Sequence, residues 1–410
     1  MSSEKNILKS KIGPPAIEDN EFFGRDDELA NLKQKVIDGN SVYIAAPRRI
    51  GKTSLMHRAK KDLEESGNIC FFYDLEGMKS PSEWIRELYN DILWKKGIKI
   101  TKKAGSLFNN LLINLDRKDL KILNIFSLMD SDQWRRHGEE VLKTLCNSGS
   151  CPEGKRIVIF LDELAVMIQN MQQNQSKESP HTGTDETVTV FMRWLRSVRQ
   201  EKPYKKISFV IASSIGLPPL LKRLNLSAEI NDLDTFPFGA WKPDTAKECI
   251  LALARGREIV ISPETAELMT EILGWCSPYF VQVFSNTACN HLFDKKRDSY
   301  TIEELKDIYF KYLIRGDEMN AALSHTIERL RKSLSESEYD FAKLILKNVA
   351  QNDSFTAKSE IVNIKGEVNE DFRIDVLDIL KHDGYIVEEK EGYRFLSNVL
   401  RDWWRNKYGK

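Results

Sequence analysis

No stretch of the sequence reaches the roughly 18 uninterrupted apolar residues that a membrane span needs. The first residues, Met1 to Lys11, are polar and lack the apolar core of a secretory signal. The expectation is a cytoplasmic protein that makes no use of a membrane. Charge of one sign is missing too: 61 Lys and Arg stand against 61 Asp and Glu, a formal net charge of +0. That total points to no polyanionic partner, although a local patch can bind while the sum stays neutral. Cysteine is scarce, with six in 410 residues: Cys70, Cys146, Cys151, Cys249, Cys276 and Cys289. Since 41% of residues are hydrophobic, a core can form without disulfide or metal staples. Cys70, Cys249 and Cys289 lie in strand-like or helix-like stretches, the pattern of buried reduced thiols. Cys146 and Cys151 flank an Asn-Ser-Gly-Ser loop with no further Cys or His at ligand spacing, which speaks against a metal there. No internal repeat stands out.

What is present is alternation. Residues 1–20 read as a polar leader arm broken by Gly13-Pro14-Pro15. A helix follows from Asp26 to about Asp38, with Asp26 as N-cap and Gly39 as stop. Then come a β-rich run at 41–46, a helix over 52–65, a strand over 68–75 and a helix over 81–94 that starts on Pro81. Strand and helix in turn are the mark of a parallel α/β sheet. Residues 96–150 read as helical, with apolar patches at 107–113 and 120–129 and a clearer helix near 134–146. RIVIFLDE at 156–163 is an apolar strand ending in two carboxylates. Residues 169–186 are polar and read as a mobile loop. A helix over 188–200, a strand over 206–214 and a short fifth strand near 231–238 complete this part. After Trp241 the pattern is all-helical to about Leu334. The expected boundaries are therefore a leader at 1–20, a nucleotide-binding domain at 21–240, a helical lid at 241–334 and a last module at 335–410.

The strongest chemical signal is Ala46-Pro-Arg-Arg-Ile-Gly51-Lys52-Thr53, after a strand and before a helix. It departs from Gly-x4-Gly-Lys-Ser/Thr only in its first residue. Backbone N–H groups of Pro47-flanked Arg48, Arg49, Ile50, Gly51, Lys52, Thr53 and Ser54 would cradle phosphates at a helix N-terminus. Gly51 lets the backbone come close, Lys52 neutralises the β- and γ-phosphates, and the Thr53 hydroxyl suits Mg²⁺. Ala46 carries a steric cost if that position needs positive φ, but Pro47 biases it toward extended backbone, which alanine accepts. The second signal is Asp162-Glu163, where the aspartate suits Mg²⁺ and the glutamate suits a general base on the attacking water. A third, Ser214 at the end of KISFVIASS, reads equally as a γ-phosphate sensor or as a strand-end cap.

FFGRDDEL (22–29), APRRIGKTSL (46–55), IVIFLDEL (157–164) and FVIASSIGL (209–217), in this order, resemble the archaeal-type prokaryotic ATPases. These belong to the STAND branch of the AAA+ superfamily, near the origin-recognition-type proteins, and the resemblance covers residues 21–290. It implies a P-loop αβα parallel-sheet domain, a helical lid and a C-terminal winged helix. It also implies ATP rather than GTP as ligand. By this resemblance Phe23, Gly24 and Arg25 line the adenine side, and Pro278, in GWCSP (274–278), lies near the nucleotide. Arg223, after the fourth strand, is the positional candidate for an arginine finger. The arginine that many such lids supply is not found, which fits slow turnover.

The module at 335–410 reads as a winged helix: helices near 339–349, 359–362 and 371–380, a β-wing over 384–395 and a last helix over 399–408. Its acids outnumber its bases, and the helix that would enter a DNA groove carries Asp371, Asp375 and Asp378. That is a poor fit to phosphate neutralisation. The expected function is an ATP-dependent switch acting on a partner protein. The alternatives are an ATPase loaded on DNA, using scattered bases such as Lys33, Lys35, Lys60, Lys61, Lys102, Lys103, Arg135 and Arg136, and a degenerate ATPase serving as scaffold. The resemblance leaves room for a homo-oligomer.

Overall fold

The computed structural model describes residues 8–10, 12–94, 133–147, 151–178, 185–364 and 369–409. The apolar patches predicted at 107–113 and 120–129, together with Lys102 and Lys103, lie outside the described residues. The chain divides into two compact units, one of residues 27–45 and 55–237, the other of 1–26, 46–54 and 238–410.

The first unit is built on α1 (Asp26–Ile37), β1 (Val42–Ala45), α2 (Lys52–Glu65), β2 (Ile69–Asp74), α3 (Pro81–Trp94), α4 (Trp134–Asn147), β3 (Ile157–Asp162), α5 (Leu164–Glu178), α6 (Asp185–Gln200), β4 (Ile207–Ser213), α7 (Leu217–Arg223) and β5 (Asp234–Pro237). The five strands form one sheet in the order β2-β3-β4-β1-β5, with every neighbouring pair parallel. Every residue of β3 and β4 is buried, as expected for central strands covered on both faces. The edge strand β5 has mixed burial. Register aligns Asp74 with Asp162, and Ala45 with Ser213, so the carboxyl ends of the strands lie along one edge of the sheet. That edge is where open α/β sheets bind ligands.

One expectation fails here. Residues 169–186 were predicted as a loop, yet α5 runs through Glu178 and α6 begins at Asp185, while 179–184 lie outside the described residues. Leu164, Ala165, Met167, Ile168 and Met171 form its buried stripe in the sheet's core. The Asn170 side chain is accommodated: its amide donates to the carbonyls of Glu76 (2.8 Å) and Met78 (3.1 Å). The polarity at Asn170 is thus satisfied from within the helix and does not break it.

The second unit contains α8 (Pro243–Arg255), α9 (Pro263–Leu273) and α10 (Pro278–His291), each opening on proline, whose missing N–H costs nothing there. Next come α11 (Ile302–Ile308), which continues as a π-helical turn over Tyr309–Ile314, and α12 (Asp317–Ser333). Thr301 and Glu304 form a capping box that starts α11, and Ser335 with Glu338 starts α13 (Glu336–Gln351) in the same way. The chain ends with β6 (Thr356–Ala357), α14 (Lys358–Val362), α15 (Glu370–His382), β7 (Ile386–Glu388), β8 (Gly392–Phe395) and α16 (Asn398–Tyr408). Its three strands form an antiparallel sheet in the order β6-β8-β7. Residues 241–334 and 335–410 share one hydrophobic core, in which Phe284 and Tyr309 belong with Ile345, Trp403 and Trp404. Polar bonds join them: the buried Tyr309 hydroxyl donates to Asp402 (3.0 Å), the Asn398 amide to the Ile272 carbonyl (3.1 Å) and the Trp403 indole to Asn320 (2.7 Å). Among the described residues no helix is long and apolar enough to cross a membrane.

Candidate nucleotide site

The loop between β1 and α2 turns sharply where two residues take left-handed backbone, Arg49 at φ 67° and Gly51 at φ 91°. Glycine meets that geometry without strain; a non-glycine residue such as Arg49 persists in it only where its surroundings hold it. Ala46 is not among the positive-φ residues, so the alanine that replaces the usual glycine carries no backbone penalty. Lys52 opens α2 and is 6% exposed; its ammonium donates to the carbonyls of Ala46 (2.6 Å) and Pro47 (2.8 Å), inside the curve of the loop. A lysine so placed at a helix N-terminus can meet an anion held by the loop amides. Thr53 is the second residue of α2, and the Ser54 hydroxyl accepts from the Ala16 amide (2.9 Å).

Side chains from elsewhere in the same unit hold this loop. The Ser277 hydroxyl donates to the Arg49 carbonyl (2.7 Å), and the Arg49 guanidinium lies over the Tyr279 ring, 4.1 Å from its centroid. Arg48 Nη1 donates to His325 Nδ1 (2.8 Å). Arg25 Nη2 donates to the carbonyls of Ile50 (3.2 Å) and Gly239 (2.6 Å), and its guanidinium sits over Phe238 at 4.3 Å. Gly384 packs so tightly on Pro47 that a Cβ there would lie 2.5 Å from the proline ring. Thus the side chains of Arg25, Arg48 and Arg49, all predicted to line the nucleotide, contact protein groups. Phe23 meets Trp241 edge-on (centroids 6.0 Å apart). Pro278 is the buried first residue of α10. Burial pushes the neighbouring Cys276 thiol up to about 11, so it stays protonated at neutral pH.

The other predicted cluster lies in the sheet unit. Asp162, 3% exposed, ends β3, and its Oδ1 accepts the Glu163 amide (3.1 Å). Glu163 has left-handed backbone (φ 60°), and its Oε2 accepts both the Ser214 amide (2.9 Å) and the Ser214 hydroxyl (2.7 Å). Ser213 accepts the Ala165 amide (3.2 Å) at the start of α5. Asp162, Glu163 and Ser214 are therefore brought together, while Arg223 sits on the exposed last turn of α7. Three residues escaped the sequence reading: Ser277, His325 and Gly384. Ser277 carried a signal, since it lies beside Pro278 inside GWCSP, but the sequence reading gave it no role of its own.

No family profile matches the chain. In overall fold it is similar to a Walker-type ATPase of Pyrococcus abyssi, with TM-score 0.62 and 16% identity over 96% of this chain and 98% of that one. The fold is that of a P-loop ATPase. By sequence the chain is 27% identical over 169 residues to an uncharacterised ATP-binding protein of Methanocaldococcus jannaschii, a match spanning 38% of this chain and 43% of the relative. A second ATP-binding protein of that organism matches at 27% over 161 residues, with the same coverage. The chain thus aligns with less than half the length of these relatives. ORC2 of Aeropyrum pernix superposes with TM-score 0.49 and 14% identity.

Proposed function

We propose that the chain binds ATP in the loop 46–53, hydrolyses it slowly, and acts as a nucleotide-dependent switch on a partner protein, as a STAND-type AAA+ ATPase would. The ATP-binding names of the Methanocaldococcus jannaschii relatives support the ligand. The observation that carries the switch is the packing of the loop against remote elements of its own unit. Pro47 rests on Gly384 of the 335–410 module, which we read as a winged helix, and Arg48 and Arg49 are bound by His325, Ser277 and Tyr279. A phosphate that draws Lys52 away from the carbonyls of Ala46 and Pro47 changes the loop on which that module rests.

In this reading the loop amides and Lys52 hold the phosphates. The Thr53 hydroxyl after the loop and the Asp162 carboxylate at the end of β3 are each a hard oxygen donor of the kind that would suit Mg²⁺, which would neutralise phosphate charge. Glu163 takes the proton of the attacking water, and Ser214 fixes its carboxylate. Arg223 is the candidate for a charge-stabilising arginine supplied to a second copy.

The DNA-loaded alternative loses support from the ion pairs. Lys33 and Lys35 are paired with Asp62 and Asp234 (2.5 Å each), Lys60 with Glu64 and Arg135 with Glu139. In the C-terminal module Lys381 is bound by Asp378 and Glu388, Lys358 by Glu388, and Arg394 by Glu389. Bases already matched to acids in this way release few counterions on meeting a duplex. The scaffold alternative loses its main ground, because Ala46 is unstrained. ATP hydrolysis measured with and without double-stranded DNA tests the reading. Slow turnover indifferent to DNA is expected; turnover that rises with DNA would favour the loaded ATPase, and failure to bind nucleotide would refute both.

A further inference from the structure

The peptide planes of the loop point to a pair of positioning residues outside the 46–53 motif: we propose that Arg25 and Ser277 turn the amides of Gly51 and Ile50 toward the phosphates. The proposal rests on the ATP-binding reading above. A trans peptide is planar, and its C=O and N–H point in opposite directions. The Arg49 carbonyl is taken by the Ser277 hydroxyl at 2.7 Å, so the N–H of Ile50, in the same plane, faces the other way. The Ile50 carbonyl is taken by Arg25 at 3.2 Å, so the N–H of Gly51 is turned away from Arg25. These two peptide units are the ones bounded by the left-handed residues Arg49 and Gly51. Successive amides around such backbone form an anion-binding concavity.

Both side chains are committed to this task. Ser277 is 0% exposed and occupies the N-cap position of α10, where a serine ordinarily accepts a backbone N–H; it makes no such bond, and its hydroxyl goes to Arg49 instead. Arg25 is 5% exposed and anchored at its far side by the Gly239 carbonyl (2.6 Å) and the Phe238 ring (4.3 Å), so it holds Ile50 from a fixed base. Arg25 therefore serves the phosphates through the loop backbone and is not a contact to the base. Pre-setting the amides removes the ordering cost that a loose loop would meet on binding.

The test compares wild type with Ser277→Ala, Ser277→Thr and Arg25→Gln, measuring affinity for ATP, ADP and adenosine by competition against a fluorescent ATP analogue, with thermal unfolding as a check on the fold. Ser277→Ala and Arg25→Gln are expected to weaken ATP and ADP about tenfold while leaving adenosine unchanged, since each loses a buried hydrogen bond acting only on the amides. Ser277→Thr, which keeps the hydroxyl, restores phosphate affinity. Because the buried Arg25 variant can fail to fold, Ser277→Ala decides alone in that case. Folded variants that bind ATP like wild type, or that lose ATP and adenosine equally, overturn the proposal and leave the ATP reading intact. A wild-type protein that binds none of the three overturns both.

Discussion

The acidic end of β3 and the phosphate loop are held in different ways. Around Asp162 and Glu163 the bonds come from within the strand end itself or from the neighbouring strand β4: Glu163 to the amide and hydroxyl of Ser214, the Ala165 amide to Ser213, the Glu163 amide to Asp162. The sheet imposes that geometry. The loop is held by side chains distant in sequence, with separations of 25 residues to Arg25, 228 to Ser277 and 277 to His325. A site of the first kind is rigid because its scaffold is. A site of the second kind is only as fixed as its supports, and a change in it reaches them. The two regions suit the two halves of the proposed cycle, chemistry at the sheet end and signalling through the loop.

The comparison can be broken from either side. The largest effect is expected at the sheet end: Glu163→Gln keeps ATP binding and lowers turnover at least about 100-fold, the usual contribution of a general base. Steady-state hydrolysis beside equilibrium binding checks this, and unchanged turnover would move the base elsewhere. A support of the loop comes next. Gly384→Ala forces a Cβ toward Pro47 at a residue with φ 78°, so the variant is expected to lose about 1–3 kcal/mol of stability by overpacking and to bind ATP differently. Chemical denaturation with and without ATP reads both. Ser213→Ala removes the group that accepts the Ala165 amide at the start of α5 and is expected to cost about 1 kcal/mol, with ATP binding unchanged.

The smallest effect is on pH dependence. Burial, with Lys60 nearby, holds His57 below the ordinary imidazole value of 6.5, and burial does the same for His382. The unfolded chain therefore takes up these protons first as pH falls. Stability is complete above 6.5 and declines as pH drops from there toward the lower folded values. Denaturation midpoints across pH 7 to 5 report it, and His57→Gln and His382→Gln should each flatten part of the slope.

The same contrast explains what was legible in the sequence. The strands 41–46, 68–75, 156–163 and 206–214 and the helices at 52–65 and 81–94 could be read because period, proline and glycine are local signals. Asp162, Glu163 and Ser214 could be read because each closes an apolar run. Residues 169–178 were misread because polar composition resembles a loop when the carbonyls that satisfy Asn170 lie 92 and 94 residues away. His325 and Gly384 were illegible for the same reason: nothing near them in sequence marks a partner in the loop. Ser277 lay inside the recognised GWCSP stretch, but nothing local shows that its hydroxyl reaches a carbonyl 228 residues away.

The central claim is that the loop 46–53 is an ATP site, and the most direct test is equilibrium binding of ATP by the wild-type chain beside Lys52→Ala. The account predicts saturable binding that Lys52→Ala weakens by two orders of magnitude or more, as loss of a buried charged partner of about 3 kcal/mol requires. Equal binding by the two proteins, or none by either, would contradict it.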